Sequence, residues 1–305
     1  MKNEKPFIVF FGSGPVAAAS LRALAEDFCI EAVVTKPTTK AEMEEIVEST
    51  PLFAVSDKRE LDEFFATKSF QSSVGILIDF GIIVSNKIIN AFPRGIVNSH
   101  FSLLPELRGA DPISFAILEG KEKTGVSLML LVEAMDEGPL LAQAETEIKA
   151  DETTPTLTDK LISLSDGMLK NIIPLWINGE VVEAPQEDVT ITGSKIATYT
   201  RKLTKSDGVI DWNKTAVQIE REVRAYSGWP KSRTKLGNIE VVIIKAHVIP
   251  SNNRKLAAGQ IDSSSPPLSI QCGDGLLQIE MLKPAGKKEM DSASFLNGYG
   301  SRLGL

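Results

Sequence analysis

Through residues 7–100, short apolar runs alternate with stretches of helical periodicity, and this alternation limits the fold more than any other feature. Phe7-Ile8-Val9-Phe10-Phe11, Ala32-Val33-Val34-Thr35, Leu52-Phe53-Ala54-Val55 and Val74-Gly75-Ile76-Leu77-Ile78 are nearly continuous in apolar character, as expected of strands covered on both faces. Between them lie helical patterns: Val16 to Ala25, a short polar one within Lys36 to Thr50, Lys58 to Thr67, and Ser85 to Ala91. The expected fold class is α/β, a doubly wound and mostly parallel sheet with sites beyond its carboxyl ends.

The first strand ends in Gly12-Ser13-Gly14-Pro15, and Gly12, Gly14 and Ala17 fit the spacing G-x-G-x-x-A of a dinucleotide fold. A ribose-binding acid is expected about 20 residues on, yet Thr35 leads into Lys36-Pro37. A tight strand-to-helix turn accounts for the same glycines; a nucleotide-dependent oxidoreductase stays open as the alternative.

The stretch richest in chemistry runs from Gly95 to Ile113. Ile96 and Val97 lead an extended segment into Asn98 and His100, two residues apart and so on one face. An amide that donates without titrating, beside an imidazole that holds or releases a proton near neutrality, suits stabilising an oxyanion and moving a proton. Downstream, Met135-Asp136-Glu137-Gly138 offers a carboxylate on a turn, the usual device for orienting an imidazole. The other histidine, His247, lies in a Val/Ile-rich strand pattern and reads as structural.

Further elements are expected at Pro112 to Leu118 (helix), Gly125 to Glu133 and Glu145 to Ala150 (strands), and Thr156 to Gly179 (helix). Glu180 to Ile196 is polar and turn-rich, so the expected organisation is a catalytic domain over 1–180, a linker over 181–196 and a second domain over 197–305. In the last, a helix from Thr215 to Ala225 precedes short strands at Glu240 to Ala246, Leu268 to Cys272 and Gly275 to Leu282, the pattern of a small OB-like β-barrel.

Charge divides along the same line. Residues 1–180 carry 16 Lys and Arg against 27 Asp and Glu, whereas residues 181–305 carry 17 against 13. An acidic first half joined to a mildly basic second half suits a polyanion held by the C-terminal part. Cys29 and Cys272 lie far apart with no metal-ligand spacing, which fits a reducing cytoplasm and no metal site. No apolar stretch reaches the roughly 18 residues that span a bilayer, and the amino terminus passes into a strand without a signal peptide.

Asn98-Ser99-His100, Ser102-Leu103-Leu104-Pro105, Arg108-Gly109-Ala110, Pro112-Ile113, Gly125-Val126 and Asp136 before Gly138 together resemble the 10-formyltetrahydrofolate-dependent formyltransferases. Tyr199-Thr200-Arg201-Lys202-Leu203, Ile210-Asp211-Trp212, Trp229-Pro230 and Leu282-Lys283-Pro284-Ala285-Gly286-Lys287-Lys288-Glu289-Met290 narrow the resemblance to the branch that formylates methionyl-tRNA. It implies attack by the α-amine of methionyl initiator tRNA on the formyl carbon of 10-formyltetrahydrofolate, the co-substrate, in a monomer without metal. Asn98 and a protonated His100 would stabilise the oxyanion, and Asp136 would favour the imidazolium and help relay the amine's proton. The folate would lie against Phe80, Gly81, Ile82, Ile83 and Val84, the strand end at Val97, the loop Ser102, Leu103, Leu104 and Pro105, and the turn at Met135 and Gly138. The tRNA would meet Arg201, Lys202, Lys205, Lys283, Lys287 and Lys288.

The chain departs from the family pattern in three places. Asp136-Glu137-Gly138-Pro139 lacks the second aspartate of Asp-x-Gly-Asp, Gly12-Ser13-Gly14-Pro15 replaces the common Gly-Thr-Pro turn, and the long basic loop after the second strand shrinks to Lys36-Pro37-Thr38-Thr39-Lys40 followed by glutamates. The short loop keeps open an amino-sugar nucleotide or another small amine as acceptor; a catalytically silent RNA-binding protein is a further alternative.

Overall fold

A computed structural model describes residues 5–47, 49–188, 196–250, 256–263, 265 and 267–303. In chain order its elements begin β1 (Phe7–Gly12), α1 (Pro15–Asp27), β2 (Cys29–Thr35), α2 (Lys40–Val47), β3 (Leu52–Ala54), α3 (Lys58–Ala66), β4 (Gly75–Ile78), α4 (Asn86–Ile89) and β5 (Ile96–His100). There follow β6 (Arg108–Gly109), α5 (Pro112–Leu118), β7 (Lys123–Leu130), β8 (Leu140–Glu147), α6 (Thr154–Asn178) and β9 (Tyr199–Thr200). The last are α7 (Ala216–Ala225), β10 (Ser232–Leu236), β11 (Ile239–Ile249), β12 (Ser269–Gln271), β13 (Leu276–Pro284), β14 (Met290–Asp291) and α8 (Ser292–Leu303).

Two compact units form. The first is Met1–Pro112, Lys123–Glu147 and Thr158–Thr200; the second is Ile113–Glu122, Ile148–Leu157 and Arg201–Leu305. The first is built on a seven-stranded sheet of order β3-β2-β1-β4-β5-β7-β8, in which β1 to β5 run parallel and β7 and β8 antiparallel, the mostly parallel α/β sheet that the apolar runs imply. One face of its centre is aromatic: Phe11 lies 5.6, 5.8 and 6.0 Å from Phe65, Phe80 and Phe92. Each fully buried ring of this kind contributes about 1.5–3 kcal/mol through loss of apolar surface to water.

At the β1–α1 turn, a Cβ on Gly12 would stand 2.6 Å from that of Ala17, and Gly14 caps the helix at φ +87°. The glycines therefore serve close strand–helix packing and a left-handed cap. Strand β8 begins at Leu140, five residues before its expected start at Glu145, because Leu140–Ala144 pairs with β7 across the turn at Asp136, Leu140 and Leu141 being its buried residues.

The second unit is an antiparallel sheet of order β10-β11-β13-β12, with β14 also on β13, and its half-barrel curvature is that of the expected OB-like domain. Register shifts at Lys245 bend β11, as bulges do. Ile219 and Val223 of α7 and Phe295 of α8 fill the core with Ile243, Ile270 and Ile279. Sequence patterning misses β10, where Arg233 and Lys235 break the apolar pattern, and α8, whose Gly298 and Gly300 each cost about 1 kcal/mol in helix propensity. Among the described residues no helix is long and apolar enough to cross a membrane.

Helix α6 carries Asp166 against Ser20 of α1, and burial pushes its carboxyl up to about 7, only partly offset by the Ser20 hydroxyl. The unfolded chain ionises this carboxyl near its ordinary value of 3.8, so stability falls as pH rises from about 4 to about 7. Asp166→Asn should therefore stabilise the protein at pH 8, by on the order of 2 kcal/mol once partial exposure is allowed for, and have little effect at pH 4. Denaturant unfolding at the two pH values measures this difference; equal effects at both would exclude the buried carboxyl as its source.

Candidate active site

Strand β5 lies between β4 and β7, with Asn98 opposite Met129 and His100 opposite Ser127. The two-residue period puts Asn98 and His100 on one face and Ser99 on the other, where its hydroxyl meets that of Ser165 at 2.7 Å. Asn98 and His100 are 8% and 7% exposed, so their orientation is set by packing.

The chain leaving β5 is held from below. The Ser127 hydroxyl donates to the Ser102 carbonyl at 2.7 Å and accepts from the Leu104 N–H at 3.0 Å, while Gln143 Nε2 donates to the Leu104 carbonyl at 2.7 Å. Ser102 itself donates to the Glu106 carbonyl at 2.6 Å. These bonds return the loop so that the Leu107 carbonyl stands 2.9 Å from His100 Nε2, with Leu107 at φ +57°. A carbonyl only accepts, so Nε2 carries the hydrogen and Nδ1 is the nitrogen free to take or give a proton.

Nδ1 faces Asp136, with Oδ2 at 3.8 Å. Asp136 occupies the left-handed region at φ +55°, which aspartate tolerates better than most residues. Its Oδ2 accepts from the Gly109 N–H at 2.7 Å, and its Oδ1 lies 3.4 Å from Asn98 Nδ2. Two residues on, a Cβ at Gly138 would strike the Leu130 carbonyl, so only glycine fits the turn.

Gln186 locks this turn. It is 2% exposed, and its Nε2 donates to the carbonyls of Asp136 and Gly138 at 2.8 and 2.9 Å. Its Oε1 accepts from Arg108 Nε and Nη2 at 3.2 and 2.7 Å. Arg108 also pairs with Glu137 at 3.0 Å and donates to the Tyr199 hydroxyl at 3.1 Å. The guanidinium is thus committed to Glu137, and Asp136 keeps its charge for the imidazole. Gln186 lies within the stretch expected to act as a linker, of which residues 189–195 are outside the described residues.

The arrangement offers one non-titrating donor, one imidazole nitrogen and one carboxylate at the carboxyl edge of the sheet. The neighbouring serines already have partners, so the geometry supports oxyanion stabilisation and proton transfer rather than a serine nucleophile. Among the described residues no cluster of three His, Cys, Asp or Glu could hold a metal ion.

Of the residues expected to meet a folate, Ile83 and Met135 are 70% and 68% exposed, and Gly81 is exposed as well. Their loops adjoin, since Asn86 Nδ2 donates to Glu133 Oε2 at 3.0 Å and Leu131 packs against the cluster containing Ile82 and Val84. Two exposed apolar side chains on adjacent loops beside Asp136 fit a flat ring system. Phe80, Val84, Val97, Ser102, Leu103, Leu104, Pro105 and Gly138 are buried and form the frame below.

The cations expected to meet tRNA lie in the second unit. Lys202, Lys205, Lys283, Lys287 and Lys288 are exposed, while Arg201 is paired with Asp207 at 2.5 Å and lies 6.0 Å from the Phe115 ring. Lys283 is the penultimate residue of β13, and Lys287 and Lys288 follow in the turn to β14, where the Lys287 N–H donates to the Pro284 carbonyl at 3.0 Å. His247 pairs with Glu280 at 2.8 Å on the face of the half-barrel sheet.

Comparison with known proteins agrees with this geometry. The formyl transferase family model matches residues 7–173, and that of the formyl transferase C-terminal domain matches residues 202–300. Methionyl-tRNA formyltransferase of Bacillus cytotoxicus is 30% identical over 311 residues, covering 98% of this chain and 97% of that protein. Among solved structures, WlaRD, a sugar 3N-formyl transferase, superposes with a TM-score of 0.66 at 18% identity over 94% of this chain and 100% of its own. HypX from Aquifex aeolicus in complex with tetrahydrofolic acid superposes at 0.61 and 15% identity over 97% of this chain and 48% of its own, a likeness of fold. With both family domains matched in order along its length, the chain belongs to the formyl transferase family of enzymes.

Proposed function

We propose that this enzyme transfers the formyl group of 10-formyltetrahydrofolate to the α-amine of methionyl initiator tRNA. The observation that carries the acceptor assignment is the end-to-end likeness to a methionyl-tRNA formyltransferase, which includes the basic second unit as well as the catalytic sheet. The folate supplies an activated formyl carbon on nitrogen. Asn98 Nδ2 and, once protonated, His100 Nδ1 donate toward the formyl oxygen as the amine adds to that carbon, and the carbon–nitrogen bond to the folate then breaks. One well-placed donor of this kind is worth about 3–4 kcal/mol. Asp136, anchored by Gly109, takes up the amine's proton through water and keeps His100 oriented, and that proton passes on to the departing folate nitrogen, which leaves as N–H.

The exposed lysines at 202, 205, 283, 287 and 288 supply phosphate contacts. The likeness in fold to a sugar formyl transferase supports a second reading, an amino-sugar nucleotide acceptor on the same catalytic groups. Offering charged initiator tRNA and amino-sugar nucleotides together with 10-formyltetrahydrofolate separates the two. Formylmethionyl-tRNA should dominate; transfer to the small amine alone would move the acceptor and leave Asn98, His100 and Asp136 in place.

His100→Ala should lower kcat by about 10²–10⁴-fold while folate still binds in a direct titration. Turnover within a few-fold of the parent would remove His100 from the chemistry. Gln186→Leu leaves two turn carbonyls and the Arg108 guanidinium without their partner, so kcat should fall by at least about tenfold with KM for tRNA little changed, as expected for misplacement of a catalytic carboxylate. A rise in KM alone would assign Gln186 to binding. Reversing Lys287 and Lys288 to Glu should weaken tRNA binding and flatten the log K against log salt line by about one unit per lost contact. An unchanged slope would exclude both lysines from the phosphate contacts.

A further inference from the structure

The three tryptophans of the chain are used differently. Trp176 and Trp212 donate their indole hydrogens to the Arg94 carbonyl at 2.9 Å and to Thr234 Oγ1 at 3.0 Å. Trp229 is 58% exposed. One exposed apolar side chain needs no explanation alone; what distinguishes this one is its support and its neighbours.

The support is rigid. The Lys231 N–H donates to the Tyr226 carbonyl at 2.9 Å and closes the loop that carries Trp229. Tyr226 is buried, and so is Pro230. The turn Lys205–Gly208 packs directly on this loop: a Cβ on Gly208 would collide with the Lys231 carbonyl and stand 3.1 Å from Pro230 Cγ. The indole is thus presented to solvent on a closed loop, at little further cost in conformational entropy on binding.

The neighbours are cationic. Lys231, at φ +70°, is exposed two residues after Trp229 on the same loop. The turn packed on the loop brings Lys205, whose carbonyl accepts from Arg233, and it follows Lys202 and Arg201 in the chain. Asp207 is the acid of that turn, and Arg201 and the Thr204 cap hold its carboxyl well below the usual range. An exposed aromatic face among lysines is the chemistry that binds unstacked nucleic acid, with a base on the ring and phosphates on the ammonium groups. Paired bases in an RNA duplex are already stacked and offer no free face, so the ligand is an unpaired base.

We propose that Trp229 is a stacking platform for an unpaired nucleobase of the bound tRNA, an inference that rests on the acceptor assigned under the proposed function. The test is titration of the full chain with uncharged initiator tRNA, followed by tryptophan fluorescence and by affinity, in the parent, W229Y and W229A. The parent should show quenching that both variants lack. Affinity should fall about tenfold in W229A and recover most of that loss in W229Y, because tyrosine restores a stacking face. If tRNA binds but the parent and W229Y lose the same fluorescence, or if W229A keeps full affinity, Trp229 is not a platform. If the parent itself fails to bind tRNA, the acceptor assignment falls and takes the platform with it, a result distinguishable because it precedes any substitution.

Discussion

Where the carboxylate of Asp136 stands decides what Asn98 and His100 beside it can do. A carboxylate on a mobile turn would be a solvated charge, screened and free to turn away from the imidazole. Here the backbone is held in the left-handed region, a neighbouring glycine admits no side chain, and a buried glutamine binds the carbonyls on either side of Glu137. The backbone N–H of Gly109 then fixes the carboxylate itself. Strain in the turn and the bonds that hold it belong together, because a left-handed residue persists only where its surroundings over-determine it.

The same lock sorts two adjacent acids. Asp136 and Glu137 follow one another in the chain, yet Arg108 neutralises Glu137 at 3.0 Å while Asp136 faces the imidazole. A stray cation beside Asp136 would compete with His100 for its charge. Tying Arg108 to Glu137, Gln186 and the Tyr199 hydroxyl removes that competitor.

How much of this could be read in advance depends on the range of the interaction. The parallel strands were legible because continuous burial leaves continuous apolar runs, and Asn98 and His100 because strand period alone puts them on one face. Asp136 was legible as chemistry on a turn. The partners that make it usable were not: Gln186 lies 50 residues further on in a polar stretch with no periodic signal, and the carbonyl of Leu107 carries no side-chain signature at all. In the second unit, α8 was hidden by its glycines and β10 by its charged residues, since tertiary packing overrides both propensities.

The second unit is not a contiguous stretch of chain. Residues 113–122 and 148–157 belong to it, although each is flanked by segments of the first. Their attachment is specific: Thr154 Oγ1 donates to the Ala225 carbonyl at 2.7 Å, Arg224 donates to the Glu152 carbonyl at 3.1 Å, and Arg201 lies over Phe115. A fragment cut after Thr200 would therefore keep the half-barrel strands but expose the end of α7 and strip Arg201 of its aromatic neighbour. Chimaeras that exchange the basic half between relatives must carry the two earlier segments with it, which makes inheritance of that half a matter of three coordinated replacements rather than one splice.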